Sequence, residues 1–162
     1  YGVSVEAELG CVAGSDLGGR RVGQTRLTQP EEVAAFVQAT GIDALAVSIG
    51  TEHGVYVAAP QLDIERLKAL DAASPVPLVM HGGSGTPEGQ VREVIRHGIT
   101  KFNVYADCRL AVNAGFAKAS DLVRRRPDEL PDVVFKPLYD LLAAQVRAKI
   151  RLAGAGQQTP VA

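Results

Sequence analysis

Short apolar segments and helical patterns alternate along the chain. Each apolar segment is followed by a loop that contains glycine and then by a helix pattern, which predicts βαβ units and a parallel sheet. In the first segment every second residue is polar, so Ser4, Glu6 and Glu8 are predicted to lie on one face of the strand. The four predicted strands span residues 3–10, 44–50, 76–82 and 100–104.

Helix start and stop signals fill the segments between these strands. Thr28 and Glu31 form a capping-box pattern at the start of the first helix, and Gly41 marks its end. Asp63 is predicted to cap the second helix. Two long helices are expected after the fourth strand, at about residues 107–126 and 132–152.

Four βα units amount to half of an eight-stranded barrel, which in full needs about 250 residues. We therefore predict an α/β fold of the (β/α)8 TIM-barrel class, with residues 1–152 forming a half barrel and residues 153–162 a flexible tail. An open doubly wound domain is the competing architecture, but its dinucleotide fingerprint is absent from the first turn. Carboxylates on one face of the first strand suit a polar barrel mouth better than a dry sheet.

The start of the sequence also bears on completeness. The first residue is Tyr1, the only methionine is Met80, and no charged segment followed by an apolar stretch indicates a signal peptide. We expect a truncated piece of a longer protein. The alternative is a processed or engineered chain that folds alone.

Composition excludes several function classes. The formal net charge of −1 offers no broad positive surface for nucleic acid or an anionic membrane. The basic cluster at residues 124–126 is interpreted as the solvated end of a helix. No apolar run approaches the ~18 residues of a membrane span. Cys11 and Cys108 show neither metal-site spacing nor a disulfide framework, and this favours a reducing cytoplasm.

Two of the three histidines follow predicted strands. His53 lies in a Gly-Thr-Glu-His-Gly loop after the second strand, and His81 ends the third. Neutral imidazoles from neighbouring strand ends can converge on one divalent ion. Two structural or substrate-contacting histidines are the alternative. His97 lies in the last turn of a predicted helix, where positive charge suits the dipole, and is assigned no catalytic role.

Glycines suited to anion binding follow His81. Residues 82–85 read Gly-Gly-Ser-Gly and precede a predicted helix, whose N-terminus favours negative charge. Ser84 adds a hydroxyl, and residues 103–106 after the fourth strand can complete the cradle. Barrels commonly bind phosphate in the loops after their last two strands.

Taken together, these stretches resemble the class II, zinc-dependent ketose-bisphosphate aldolases, the fructose- and tagatose-bisphosphate group. The resemblance implies that the chain holds about strands 5–8 of the barrel. The stretches that carry it are SVEAELG at 4–10, TQPEEVAAFVQATGIDALAVSIGTEHGVY at 28–56, PLVMHGGSG at 77–85, KFNVYAD at 101–107 and, more loosely, VRAKI at 146–150.

The resemblance implies a metal centre. His53 and His81 match zinc ligands, and Glu8 matches a glutamate near the metal that is sometimes a second-site ligand. Glu6, one layer deeper, is interpreted as a buried structural acid. A third ligand histidine and the catalytic aspartate belong to the preceding half of the barrel. The chain alone is therefore expected to bind zinc weakly and to be inactive.

Substrate contacts are implied in the same way. Gly82, Gly83 and Ser84 resemble the loop that binds the phosphate of dihydroxyacetone phosphate, with Val104, Tyr105 and Ala106 completing it. Asn103 resembles the residue that contacts the enediolate, and Gly54 a backbone contact to substrate.

Two positions depart from the family pattern. Relatives carry a proton-exchanging glutamate in a mobile loop where this chain has Asp16, which is shorter by about one methylene but is kept here as a catalytic candidate. Relatives usually have threonine where this chain has Ala106, so one phosphate-contacting hydroxyl is absent.

The implied reaction is reversible cleavage of a ketose 1,6-bisphosphate, fructose or tagatose, to dihydroxyacetone phosphate and glyceraldehyde 3-phosphate, with Zn²⁺ as Lewis acid. The intact protein is expected to be a cytoplasmic homo-oligomer, a dimer or tetramer, that binds neither nucleic acid nor membrane. Three alternatives stay open. The first is a Schiff-base aldolase, although Lys101, the lysine nearest to the predicted site, is expected away from the rim of the barrel. The second is a metal-free phosphosugar isomerase, and the third is a non-catalytic homologue.

Overall fold

The structure, a computed structural model, describes residues 1–15, 21–54 and 59–154 of the 162-residue chain. It divides into two compact units, Tyr1–Val104 and Tyr105–Ala162. Each unit has its own architecture and is described by itself.

The first unit is built on a parallel sheet with strand order β1-β4-β5-β6. These four strands are the ones that the apolar pattern predicts. An antiparallel pair, β2 with β3, was not predicted, because strands of two residues carry almost no periodic signal. The strands are β1 (Glu6–Leu9), β2 (Gly14–Ser15), β3 (Arg21–Val22), β4 (Ala44–Val47), β5 (Leu78–Met80) and β6 (Ile99–Phe102).

Three helices follow successive strands of this unit and cover one face of the sheet. They are α1 (Pro30–Thr40), α2 (Ile64–Ala73) and α3 (Glu88–Arg96). Each contributes fully buried side chains to one apolar core, and the same core takes alternate residues from the strands. The core includes Val33, Leu67, Leu70, Val94, Leu45, Val47, Leu78, Met80 and Ile99.

The capping prediction for α1 is wrong. Thr28 is fully buried, and its hydroxyl donates to the Leu9 carbonyl at 2.5 Å while accepting from the Ser48 amide at 2.8 Å. Gln29 is the N-cap instead and makes no side-chain capping bond. Thr28 therefore joins the ends of β1 and β4. Its hydroxyl is used in this tertiary contact and does not cap α1. The prediction for α2 is confirmed, because Asp63 accepts from the Arg66 amide at 2.9 Å.

The opposite face of the sheet is concave and polar at its edges. Glu6 on β1 and Lys101 on β6 occupy the two edge strands, yet their charged groups lie 2.9 Å apart. In a flat sheet three interstrand steps of about 4.8 Å would separate these strands by about 14 Å. The sheet must therefore curve so that its edges face each other. Between them Ala46 and Val79 are small enough to leave room above the sheet.

The second unit is a pair of long helices, α4 (Ala106–Arg125) and α5 (Pro131–Leu152). Asp107 at the start of α4 pairs with Lys149 near the end of α5 at 2.6 Å, so the helices run antiparallel. The backbones approach closely at Gly115, where a Cβ would lie 2.6 Å from the Cα of Leu138. The three arginines at 124–126 pair with Asp121 and Glu129, which supports their interpretation as a helix end.

Candidate metal and substrate site

His53 is held in place by the loop after β1. Its amide donates to the Ala13 carbonyl at 2.7 Å, and Gly14 forms a parallel bridge with it. A Cβ on Gly14 would overlap the Cβ of His53 and lie 2.6 Å from its carbonyl oxygen. Only glycine therefore allows this approach, which brings the β1 and β4 loops together.

His81 follows β5 directly and lies between two carboxylates of β1. Its Nε2 is 2.9 Å from Glu6 Oε1, and its Nδ1 is 2.8 Å from Glu8 Oε2. The two glutamates are two residues apart on a strand, so they share one face as predicted. A carboxylate only accepts, so the ring supplies an N–H wherever one of these contacts is a hydrogen bond. A metal ion at either nitrogen would take the place of that proton.

The two imidazoles predicted as metal ligands lie together. The ring centres of His53 and His81 are 5.9 Å apart, and the rings are tilted by 35°. With Zn–N distances of about 2.0–2.1 Å, two ligand imidazoles on one tetrahedral ion have ring centres roughly 5 Å apart. The observed separation exceeds this value by about 1 Å, and Glu8 lies beside His81 as an oxygen donor. Two nitrogen donors and a carboxylate are a donor set that suits zinc.

The ligand set is partial within the described ranges. In residues 1–15, 21–54 and 59–154, no group of three or more His, Cys, Asp and Glu side chains is arranged to hold a metal ion. His53 and His81 as zinc ligands, with Glu8 beside them, remain a prediction that the geometry accommodates.

Lys101 was misplaced by sequence reasoning. It was expected away from the rim, but it is the third residue of β6, and its amine donates to Glu6 at 2.9 Å and to Asn103 Oδ1 at 2.6 Å. A continuous polar row therefore crosses the concave face. We call it the polar row; its members are Glu8, His81, Glu6, Lys101 and Asn103. Glu6 is hydrogen-bonded within it to His81 and Lys101, but its side chain is only partly buried, whereas a buried acid was predicted.

The glycine loop after His81 is packed closely against its neighbours. Gly82 has φ +72°, and a Cβ there would lie 2.5 Å from the Glu52 carbonyl oxygen. The Gly83 amide donates to the Asn103 carbonyl at 3.0 Å, so this amide is committed to the end of β6. Ser84 is buried, and Thr86 bonds back to the Gly82 carbonyl at 3.3 Å. Phosphate binding by residues 82–84 stays a prediction.

The remaining site candidates are distributed as follows. Gly54 follows His53 with φ +104°, and Val104 ends the first unit. Tyr105 and Ala106 begin the second unit, Tyr105 as the N-cap of α4 and Ala106 as its first residue. Asp16 lies outside the described residues.

Local electrostatics favour a neutral ring at His53. Burial lowers its pKa from the ordinary value of 6.5, the charge of His81 lowers it further, and the charge of Glu8 acts in the opposite direction. Partial burial acts to raise the pKa of Glu6, but hydrogen bonds from His81 and Lys101 and their charges outweigh it, so the pKa of Glu6 is lowered from 4.5. A neutral imidazole is the form that binds a metal.

These shifts predict acid sensitivity of the metal-free protein. A lowered pKa at His53 means that the unfolded chain binds the proton more readily, so the free energy of unfolding falls as pH drops below about 6.5. The lowered pKa of Glu6 adds a second loss below about 4.5. Urea denaturation midpoints between about pH 8 and pH 4 would measure both. His53→Gln should remove the upper phase, while His97→Gln should keep it; an unchanged upper phase in His53→Gln would contradict the assignment.

Comparison with known proteins identifies the family. The family model described as fructose-bisphosphate aldolase class-II matches residues 1–158. The chain belongs to this family. The class II aldolase relationship covers the half barrel and both long helices, and it includes both histidine loops and the polar row.

Solved structures of aldolases agree in fold. The YdjI aldolase from Escherichia coli K12 is 32% identical, with a TM-score of 0.74 over 97% of this chain and 52% of that one. A putative fructose-1,6-biphosphate aldolase from Coccidioides immitis is 28% identical, with a TM-score of 0.65 over 97% and 48%. Fructose-bisphosphate aldolase from Campylobacter jejuni, at 24% identity, shares the fold with a TM-score of 0.71 over 95% and 52%.

The matches also define how much of the barrel is present. The chain spans about half the length of these structures, so it comprises half of a (β/α)8 barrel. Within the described part of the chain, no helix combines the length and the hydropathy needed to cross a bilayer.

Proposed function

We propose that the complete barrel protein, in which this half joins a preceding half, is a zinc-dependent aldolase. Its reaction is the reversible cleavage of a ketose 1,6-bisphosphate, fructose or tagatose, to dihydroxyacetone phosphate and glyceraldehyde 3-phosphate. The observation that carries the proposal is the pair of imidazoles 5.9 Å apart beside Glu8, in a chain that belongs to the class II family.

Within this proposal the metal, held by His53, His81 and a ligand of the other half, supplies Lewis-acid polarisation of the substrate oxygens. Asn103 donates from its amide to the oxygen on which negative charge develops. Gly82, Gly83 and Ser84, with the residues from Val104 to Ala106, bind the phosphate and hold the substrate so that the cleaved bond is aligned.

The proposal also assigns roles to Asp16, to Gly54 and to the complete protein. Asp16 exchanges a proton with the substrate in place of the usual glutamate, and Gly54 contacts the substrate through its backbone. Because a third histidine ligand and the catalytic aspartate are assigned to the other half, the chain alone has no turnover. The complete protein acts in the cytoplasm as a homo-oligomer in carbohydrate metabolism.

Chelation tests the proposal. The complete barrel protein should cleave one of the two ketose bisphosphates, EDTA should abolish the activity, and added Zn²⁺ should restore it. The assay follows release of dihydroxyacetone phosphate. Full activity in EDTA, or cleavage of neither sugar by the zinc-loaded protein, would overturn the proposal.

The position of Lys101 supports one second candidate, a Schiff-base aldolase. Its amine reaches the site, but it is ion-paired with Glu6 at 2.9 Å, and a nucleophilic lysine must leave such a pair as a free amine. Borohydride reduction in the presence of substrate discriminates the two. Inactivation with a substrate-sized mass increase on Lys101 would favour the covalent route, and unchanged activity would favour the metal route.

A further inference from the structure

The polar row contains two residues with no assigned part in the reaction, Glu6 and Lys101. Each contacts a residue to which the proposed function gives a role. Glu6 contacts the predicted ligand His81, and Lys101 contacts Asn103, the predicted substrate contact. They also contact each other at 2.9 Å, although 95 residues separate them.

We propose that Glu6 and Lys101 are positioning residues that fix, as one unit, the ring of His81 and the side-chain amide of Asn103. The inference rests on the proposed function. It assigns Nδ1 of His81 to the metal and the NH2 group of Asn103 to the substrate.

The assignment of Nδ1 follows from the two carboxylates. Glu6 accepts at Nε2 and is held on its other oxygen by Lys101, so this side of the ring is occupied by a fixed acceptor. Glu8 faces Nδ1 at 2.8 Å, and in the proposed function Glu8 is the oxygen donor beside the metal, so Nδ1 is on the metal side of the ring. A metal-bound histidine commonly donates its other N–H to a carboxylate, which fixes the tautomer and the ring orientation.

The assignment of the Asn103 amide follows from the chemistry of an ammonium group. Lysine has three donors and no acceptor, so the group 2.6 Å from its amine must be the amide oxygen. The NH2 group of Asn103 is then turned away from Lys101 and has only donors to offer. Such a group suits an oxygen on which negative charge develops.

Matched variants of the complete barrel protein separate positioning from stability. Lys101→Met removes the hydrogen bonds to Glu6 and Asn103, whereas Lys101→Arg keeps the positive charge and the donors. Glu6→Ala removes the acceptor that faces Nε2 of His81, whereas Glu6→Gln keeps an acceptor oxygen there. The control is Lys68→Met, because Lys68 is also an exposed lysine in an ion pair, with Glu65 at 2.7 Å, on α2. The readouts are Zn²⁺ affinity by chelator competition, kcat and KM, thermal unfolding, and nitrogen NMR of the His81 ring and the Asn103 amide.

Glu6→Ala is expected to weaken Zn²⁺ binding about 10–100-fold and to mix the His81 tautomers, with a smaller effect for Glu6→Gln. Lys101→Met is expected to lower kcat by about 10–100-fold with KM nearly unchanged, and Lys101→Arg to restore most of it. Thermal stability should hardly change, because an exposed ion pair contributes little to the free energy of unfolding. Lys68→Met should match the wild-type protein in every readout.

Wild-type Zn²⁺ affinity and a single unchanged tautomer in Glu6→Ala would overturn the role of Glu6. A kcat loss in Lys101→Met that accompanies unfolding, or that Lys101→Arg does not restore, would overturn the role of Lys101. If the protein cleaves no ketose bisphosphate, the proposed function fails separately. Two readouts then still test the inference. They are the Zn²⁺ affinity of Glu6→Ala and the NMR signal of the Asn103 amide, which should broaden or shift in Lys101→Met.

Discussion

Replacing His81 with alanine in the complete barrel protein is expected to remove bound zinc and to lower kcat by roughly 10³-fold or more. The ring is a predicted ligand, and Lewis-acid stabilisation contributes several kcal/mol to catalysis at about 1.4 kcal/mol for each factor of ten. The substitution also leaves the carboxylates of Glu6 and Glu8 without the ring between them. Metal content by mass spectrometry and steady-state kinetics would measure the effect.

The third histidine provides the control for this prediction. His97 is the C-cap of α3, and His97→Ala should keep wild-type zinc content and kcat. His53→Ala should resemble His81→Ala, because the two rings lie 5.9 Å apart. Stoichiometric zinc in both the His53 and His81 variants would show that the metal, if used, binds elsewhere.

Gly82→Ala is expected to destabilise the protein by roughly 2–4 kcal/mol. Gly82 has φ +72°, where a side chain is strained, and its Cβ would lie 2.5 Å from the Glu52 carbonyl oxygen. The two histidine loops meet at this contact, so zinc affinity should fall as well. Urea denaturation and chelator competition would measure the two effects.

Gly89→Ala is the matched control for the second prediction. Gly89 lies on the exposed side of α3, and nothing is within 4 Å of a Cβ placed there. Alanine should leave the free energy of unfolding unchanged or raise it by up to about 0.5 kcal/mol, because glycine is the poorer helix former and Gly89 lies in the first turn of α3. Equal effects of the two substitutions would mean that the contact between the loops is absent in solution.

The features that could be predicted from the sequence are those set by residues close together in the chain. Asp63 caps α2 through an amide three residues away, and the parallel strands follow from apolar segments that alternate with helices. The closeness of His53 and His81 was also predicted, because both follow neighbouring parallel strands whose ends share one edge of the sheet.

Sequence reasoning failed where a distant partner decides the outcome. Thr28 matches a capping pattern, but its hydroxyl bonds to Leu9 and its neighbour across the sheet, Ser48. Lys101 was placed away from the rim because nothing near it in sequence reveals that the sheet curves and brings Glu6 within reach. The family resemblance supplied the roles of single residues, whereas the polar row became visible only in three dimensions.

The ion pair between the two edge strands has a consequence for the order of folding. Closing a contact across 95 residues costs chain entropy, which is recovered only after the intervening strands have docked. We therefore expect β4 and β5 to associate with their helices first, and Glu6 to meet Lys101 late. A partly folded chain would then already have its two histidine loops near each other, but it would lack the Glu6–Lys101 pair that holds the ring of His81.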